Sequence, residues 1–168
     1  MTSPFPEVRW GRSDSRIVKG LVKFASTQVG SNVIKALTPL DRRLLTRTKG
    51  KYTVLGPIGT PPLLLTTTGA KSGLPRTQPL IYLREKDELI VIGSNFGQEH
   101  HPTWTTNLRK NPDAVVAIAG VEIPVHARQL EGDERQRAVD SFVELAATYA
   151  TYLRRTDRDI RVFALAKR

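Results

Sequence analysis

Apolar and polar positions alternate with two different periods along the chain, and the change of period divides it. Ile17, Leu21, Phe24, Ala25, Val29, Val33 and Ile34 recur at intervals near three and four. That spacing predicts an amphipathic helix over residues 16–37, with Lys19, Lys23 and Lys35 on its wetter side and Pro39 as its stop. Residues 1–15 read as a loose arm. Residues 40–60, with Gly50, Gly56, Pro57 and Gly59, read as a basic connector with fragments of order. From Pro61 the pattern becomes that of strands. Two apolar runs rich in β-formers, within residues 61–83, flank a turn holding Gly69, Gly73 and Pro75, which predicts a strand pair with a connecting loop. Residues 88–94 (ELIVIGS) predict a third, buried strand. Residues 103–110 fit a short helix, with Trp104, Asn107 and Leu108 near one face and Pro112 just beyond its end. Residues 114–119 and 121–130 predict a hairpin about Gly120. Ala138, Phe142, Leu145, Ala146, Tyr149 and Tyr152 predict one long helix over residues 133–152, and residues 160–165 (IRVFAL) predict a closing strand. Strands joined mostly by short links, with one long late helix, predict an α+β chain that is mainly antiparallel β, a small barrel rather than a βαβ sheet.

The turn in the first strand pair carries the clearest chemistry. Lys71 and Arg76 flank it, and residues 61–84 hold no carboxylate. Gly69 and Gly73 can adopt positive φ, which would turn successive backbone N–H groups toward one point. Amide donors, an ammonium and a guanidinium fork together make a place for an anion. The formal net charge of +10 agrees with anionic partners in general. Two clusters stand out: Arg42, Arg43, Arg47, Lys49 and Lys51 before the first strand, and Arg154, Arg155, Arg158 and Arg161 late in the chain.

Other chemistries lose support. The chain has no Cys, so thiolate catalysis, disulfides and Cys-based metal sites are out. Neither G-x-S-x-G, the P-loop spacing nor G-x-G-x-x-G occurs, which argues against a hydrolase elbow, a nucleotide triphosphatase and a Rossmann site. Among His100, His101 and His126, the adjacent pair points apart in most backbones and no carboxylate cluster joins them, so polar-network or surface roles are expected and no metal. No stacked aromatic platform or nucleic-acid motif is present, so nucleic acid is not an expected partner. No signal peptide and no spanning helix is expected. What is left is chemistry done by a bound organic cofactor, for which the protein supplies an anion anchor, an apolar wall and a few donors.

Four blocks then carry a resemblance: LLLTTTGAKSGLPRTQPLIYL, IVIGSNFG, HPTWTTNLRKNP and YATYLRRTDRDI, in that order. Together they resemble the deazaflavin-dependent nitroreductase family of actinobacteria, over roughly residues 60 to 165. The resemblance implies a split β-barrel, of the FMN-binding split-barrel type, that binds coenzyme F420, a hydride carrier whose tail bears a phosphate and several glutamates. The chain reads as a single domain overall, with an arm and basic amphipathic helix over residues 1–50 and the deazaflavin-binding barrel over residues 51–168. By residue, it implies that Ala70, Lys71, Ser72 and Arg76 grip the phosphate end. Thr77, Gln78, Pro79, Leu80 and Ile81 lie along the cofactor, with Gln78 on its ribityl-like chain. Ile92, Gly93, Ser94 and Asn95 stand beside the ring. Thr103, Trp104 and Asn107 cover it, and Tyr149 and Tyr152 line the substrate pocket, with Tyr149 also touching cofactor. Ser94, Tyr149 and Tyr152 are the implied catalytic groups, supplying a proton to, or polarising, the acceptor.

The implied activity is hydride transfer from reduced F420 to a quinone, an activated alkene or a nitro compound. The cluster Arg42–Lys51 would attract the cofactor's acidic tail. A cytoplasmic location, with the basic helix of residues 16–37 as a peripheral contact to an anionic membrane, is the matching expectation. Three positions depart from the family pattern: Thr105 and Phe96 replace a tyrosine and a glycine, and Ala146 replaces a further tyrosine. All three fall on the substrate side. The alternatives are a related split barrel carrying FMN or haem, and a basic nucleic-acid module without enzyme activity.

Overall fold

The computed structural model describes residues 5–6, 40, 43–52, 62–145 and 148–168. Seven strands form one antiparallel sheet: β1 (Leu63–Thr68), β2 (Pro75–Leu80), β3 (Tyr82–Glu85), β4 (Glu88–Ile92), β5 (Asp113–Ile118), β6 (Val121–Gln129) and β7 (Val162–Lys167). Their spatial order is β2-β1-β5-β6-β7-β4-β3. The two edge strands, β2 and β3, are separated in sequence by Ile81 alone. A sheet whose opposite edges are joined through one residue must roll until those edges meet, so it curls into a barrel split along that seam. The expected antiparallel split barrel is borne out. The second of the two runs expected within residues 61–83 is two strands bent at Ile81, because it serves both edges of the roll.

Alternation along the strands builds two apolar layers. Leu63 and Leu65 of β1, Val116 and Ile118 of β5, Val125 of β6, Phe163 and Leu165 of β7, and Leu89 and Val91 of β4 fill the barrel. The intervening residues Ile90, Ile92, Val162 and Ala164 face outward. They are covered by α2 (Gly132–Leu145) and α3 (Thr148–Arg154) through Ala138, Val139, Phe142 and Tyr149. Buried on both faces, β4 and β7 read as continuous apolar runs, which is why the sequence marks them clearly. Of the long helix expected over residues 133–152, residues 133–145 and 148–152 are helical, within α2 and α3, and Ala146 lies outside the described residues.

The third helix, α1 (Thr103–Lys110), closes one end of the barrel. Trp104 and Leu108 enter the interior, and the Trp104 ring leans on Phe163 at 5.7 Å. The expected loose arm has at least one fixed point. Phe5 is buried in the barrel core, and the Arg84 guanidinium on β3 donates to the carbonyls of Phe5 and Pro6 at 2.9 and 2.6 Å. Residues 43–47 are helical, and Leu45 packs on Leu64 and Ala117 outside the barrel. The amphipathic helix expected over residues 16–37 lies outside the described residues. No helix among the described residues is long and apolar enough to cross a membrane.

Candidate functional site

The turn between β1 and β2 and the flank of α1 face each other across a groove of about 710 Å³. Its walls include Lys71, Ser72, Arg76 and Gln78 on the turn and edge strand, and His101, Trp104 and Asn107 on the opposite side. The register explains why the edge strand reaches it. Leu80, Gln78 and Arg76 stand opposite Leu63, Leu65 and Thr67, so they continue the interior row of β2 out through the mouth of the barrel.

The turn is held from inside. Gly69 N–H donates to the Leu74 carbonyl at 2.9 Å, and Gly73 N–H donates to the Gly69 carbonyl at 2.8 Å. Gly73 has φ +67°, as the turn chemistry predicts. Gly69 does not use the left-handed region. Its constraint is space: a Cβ there would lie 2.6 Å from Ser72 Oγ and 3.1 Å from the Leu74 carbonyl oxygen. Asn107 braces the turn from α1. Its Oδ1 accepts from Ala70 N–H at 2.9 Å, and its Nδ2 donates to the buried Thr67 Oγ1 at 2.9 Å. Lys110 Nζ adds a bond to the Ala70 carbonyl at 2.6 Å.

With those bonds made, the Lys71 and Ser72 amides have no acceptor among the described residues, and the Lys71 ammonium and Arg76 guanidinium have no ion-pair partner there. The groove lining contains no carboxylate. The free donors and charges therefore all have the sign that suits an anion.

Behind this groove, the segment after β4 is anchored to the stretch before β7. Arg158 Nη2 donates to the Ser94 carbonyl at 2.8 Å, Nη1 to the Gly93 carbonyl at 3.1 Å, and Nε to the Gln98 carbonyl at 3.1 Å. Nη1 also lies 3.0 Å from His101 Nδ1. Gly93 N–H donates to the Arg161 carbonyl at 2.8 Å, and a Cβ on Gly93 would meet Thr105 Cγ2 at 2.8 Å. Burial, reinforced by Arg161 and Arg158, holds the His101 imidazole below the usual histidine range. The backbone then turns through Asn95 and Phe96 with φ +47° and +56°, left-handed values that cost a non-glycine residue about 1 kcal/mol or more. Phe96 stays exposed and sets its ring edge-on to Tyr152 at 5.7 Å.

Tyr149 and Tyr152 belong to the layer outside the barrel. Tyr149 is buried against Phe142, and burial, with a smaller contribution from Tyr152, pushes its hydroxyl up to about 12. The two tyrosine rings meet edge to face at 5.9 Å. Neither hydroxyl, nor that of Ser94, has a hydrogen-bond partner among the described residues.

The groove lining thus gathers Ala70, Lys71, Ser72, Arg76, Thr77, Gln78, Thr103, Trp104 and Asn107 from the sequence-based expectation. It does not include Pro79, Leu80, Ile81, Ile92, Gly93, Ser94, Asn95, Tyr149 or Tyr152. Leu80 packs on the barrel core and Ile81 is the seam residue. Sequence reasoning did not place His101 or Thr106 in the wall, and it noted Arg158 only as one of a late basic cluster. The late RTDRDI block was the available signal for Arg158. Within the basic cluster before β1, the structure places Lys49 away from the groove. Lys49 pairs with Glu122, and its carbonyl accepts from Gly120 N–H, at the β5–β6 turn. That turn follows Ile118, whereas the groove adjoins the other end of β5, where Ala114 pairs with Thr67. Roughly 15–20 Å of strand separates them. Among the described residues, no group of three or more His, Asp or Glu is placed to hold a metal.

Comparison with known proteins adds a second line. A family model described as F420H(2)-dependent quinone reductase matches residues 40–167. An F420H(2)-dependent quinone reductase of Mycobacterium tuberculosis (strain ATCC 25618 / H37Rv) is 36% identical over 114 residues, covering 66% of this chain and 76% of that protein. A solved structure of an F420-H2 dependent reductase (FDR-A) is 40% identical, with a TM-score of 0.57, and the match covers 62% of this chain and 93% of the other. Another solved chain, described as a domain-swapped dimer, is 32% identical with a TM-score of 0.60, covering 81% of this chain and 98% of that one.

Proposed function

The chain belongs to the F420H(2)-dependent quinone reductase family, and from that premise we propose that the groove between the 69–76 turn and α1 receives the anionic end of coenzyme F420. The protein is an F420-dependent oxidoreductase. When bound, the deazaflavin supplies a hydride. The residues of this chain do the rest. Lys71, Arg76 and the free amides of Lys71 and Ser72 hold the phosphate. Gln78 bonds the polar chain leading inward, while Trp104 gives an apolar wall. Ser94, at the end of β4, stands beside the ring, and its unbonded hydroxyl orients the acceptor. Tyr149, protonated throughout the neutral range, and Tyr152 donate hydrogen bonds to the acceptor oxygen rather than act as bases. Pro79, Leu80, Ile81, Ile92, Gly93, Asn95 and Thr103 shape the walls between these groups.

We propose a quinone as the acceptor, in keeping with the names of the relatives. Activated alkenes and nitro compounds are the acceptors to compare with it. Contact of residues 16–37 with an anionic membrane remains part of the proposal, since those residues lie outside the described ones.

The observation that carries the reading is the unopposed cation pair, Lys71 and Arg76, on a groove without a carboxylate. Its size fits a cofactor site. Titration of the purified protein with F420, followed by deazaflavin fluorescence, tests it. Lys71→Ala and Arg76→Ala should each raise Kd about tenfold or more, the loss of one charge-assisted contact of about 1.5–3 kcal/mol. Unchanged affinity in both variants would move the phosphate elsewhere.

A further inference from the structure

The Arg158 guanidinium meets four acceptors, and one is not a carbonyl. It donates to the backbone oxygens of Gly93, Ser94 and Gln98 and lies 3.0 Å from His101 Nδ1. A guanidinium has donors only and stays protonated, so in this contact Nδ1 must accept. An imidazole that accepts at Nδ1 is neutral and carries its proton on Nε2. His101 lines the same groove as Lys71, Arg76 and Thr106.

We propose that Arg158 is a positioning residue for the cofactor site: by donating to Nδ1 it fixes His101 as a neutral Nε2–H donor facing the groove, aimed at an anionic oxygen of the bound cofactor. This rests on the reading that the groove holds F420. The same fork ties that donor to the Gly93 and Ser94 carbonyls, so one side chain sets the groove wall and the end of β4 together.

The charges around His101 favour this state. Arg161 and Arg158, from the stretch before β7, and Arg109 on α1 oppose its protonation, and among the described residues Asp159 favours it. Arg161 is held in turn by the hydroxyls of Thr105 and Thr106, at 3.2 and 3.3 Å. A protonated imidazole here would also lose its bond to Arg158 and confront the guanidinium instead. Remove Arg158 and both penalties go. Burial, Arg161 and Arg109 still hold the imidazole below the usual histidine range, but His101 then titrates higher than in the wild-type protein and gains a proton more readily when an anion arrives.

Two measurements decide the matter. The first needs no cofactor. Imidazole 15N shifts of the wild-type protein should show His101 as the Nε2–H tautomer, with no titration near pH 6.5; an Nδ1–H tautomer would overturn the proposal. The second follows F420 affinity from pH 5.5 to 8 and reads each variant's Kd as a ratio to wild type, which cancels ionisation of the cofactor itself. Arg158→Met should bind about fivefold or more weakly at pH 8, and the deficit should shrink as pH falls toward 5.5. Arg158→Met combined with His101→Asn should be weak with a ratio independent of pH. A flat ratio in the single variant, or a slope persisting in the double one, would reject the coupling.

Should Arg158→Met fail to fold, Arg158→Lys and the single His101 variants still decide. Arg158→Lys keeps the charge and one donor, and should keep the wild-type tautomer. His101→Asn, retaining a donor, should bind better than His101→Ala, which should lose about fivefold. Equal binding by the two would reject the donor role. If wild type itself shows no saturable F420 binding, the cofactor reading fails, while the tautomer result stands on its own.

Discussion

Asn107 was legible in the sequence as a polar residue near the cofactor, but its contacts were not, because they join positions 37 and 40 residues away. In the fold its amide is consumed by Ala70 N–H and Thr67 Oγ1, so it acts on a ligand through the turn it braces. Asn107→Ala would leave the buried Thr67 hydroxyl and the Ala70 amide without partners, at about 1–3 kcal/mol of unfolding free energy. Urea unfolding should register that loss together with a raised F420 Kd; a variant of native stability would mean the turn holds itself. Tyr149 gives a prediction in pH. Its folded value, pushed up to about 12, exceeds the unfolded value of about 10. Below pH 10 the hydroxyl is neutral in both states and adds no pH dependence. Above it the unfolded chain ionises first, so stability falls between pH 10 and 12, by no more than about 2–3 kcal/mol. Tyr149→Phe should lose less stability over that interval than wild type, and parallel curves would show the hydroxyl to be solvated.

Among the elements, the pattern along the chain covered the strand regions and α1, but it read β2 and β3 as one run. It did not find the break in the second run. Ile81 divides β2 from β3 because the sheet rolls there, a consequence of tertiary closure that a local pattern does not record. The short 3₁₀ segment Asn95–Gly97 was equally hidden, for its shape depends on α3 beside it. Gly97, with φ +76°, would place a Cβ 2.8 Å from the Tyr152 carbonyl and 2.7 Å from Arg155 Cβ. Neither backbone atom nor Cβ yields easily, so Gly97→Ala should cost about 2–4 kcal/mol and separate the segment from α3. A thermal melt and the near-ultraviolet signal of Tyr152 and its neighbours should change together. Leu108 plays the matching part in α1. It is 2% exposed inside the barrel end, so Leu108→Ala should cost about 2–5 kcal/mol and weaken the groove it backs.

Over the whole molecule, a net charge of +10 was plain from composition, but its division between two ends of the barrel was not. Sequence proximity suggested that Arg42–Lys51 would meet the acidic tail of the cofactor. In the fold, Lys49 pairs with Glu122 at the β5–β6 turn, and Lys71 and Arg76, without an ion-pair partner among the described residues, lie at the opposite end on the groove that His101 also lines. The arrangement makes a discriminating prediction about salt. Contacts to an anion through exposed side chains are screened over a Debye length of about 10 Å at 0.1 M. The Kd for long-tailed F420 should therefore rise with ionic strength, and more steeply than that of a tail-free, phosphate-free analogue, which keeps only the apolar and neutral polar contacts. Lys49→Gln should leave both slopes as they are, since its charge is already paired and lies a strand length away. Lys71→Gln should flatten the slope for F420. If instead Lys49→Gln flattens it while Lys71→Gln does not, the tail runs to the hairpin end, and the groove beside α1 is not where the cofactor's charge resides.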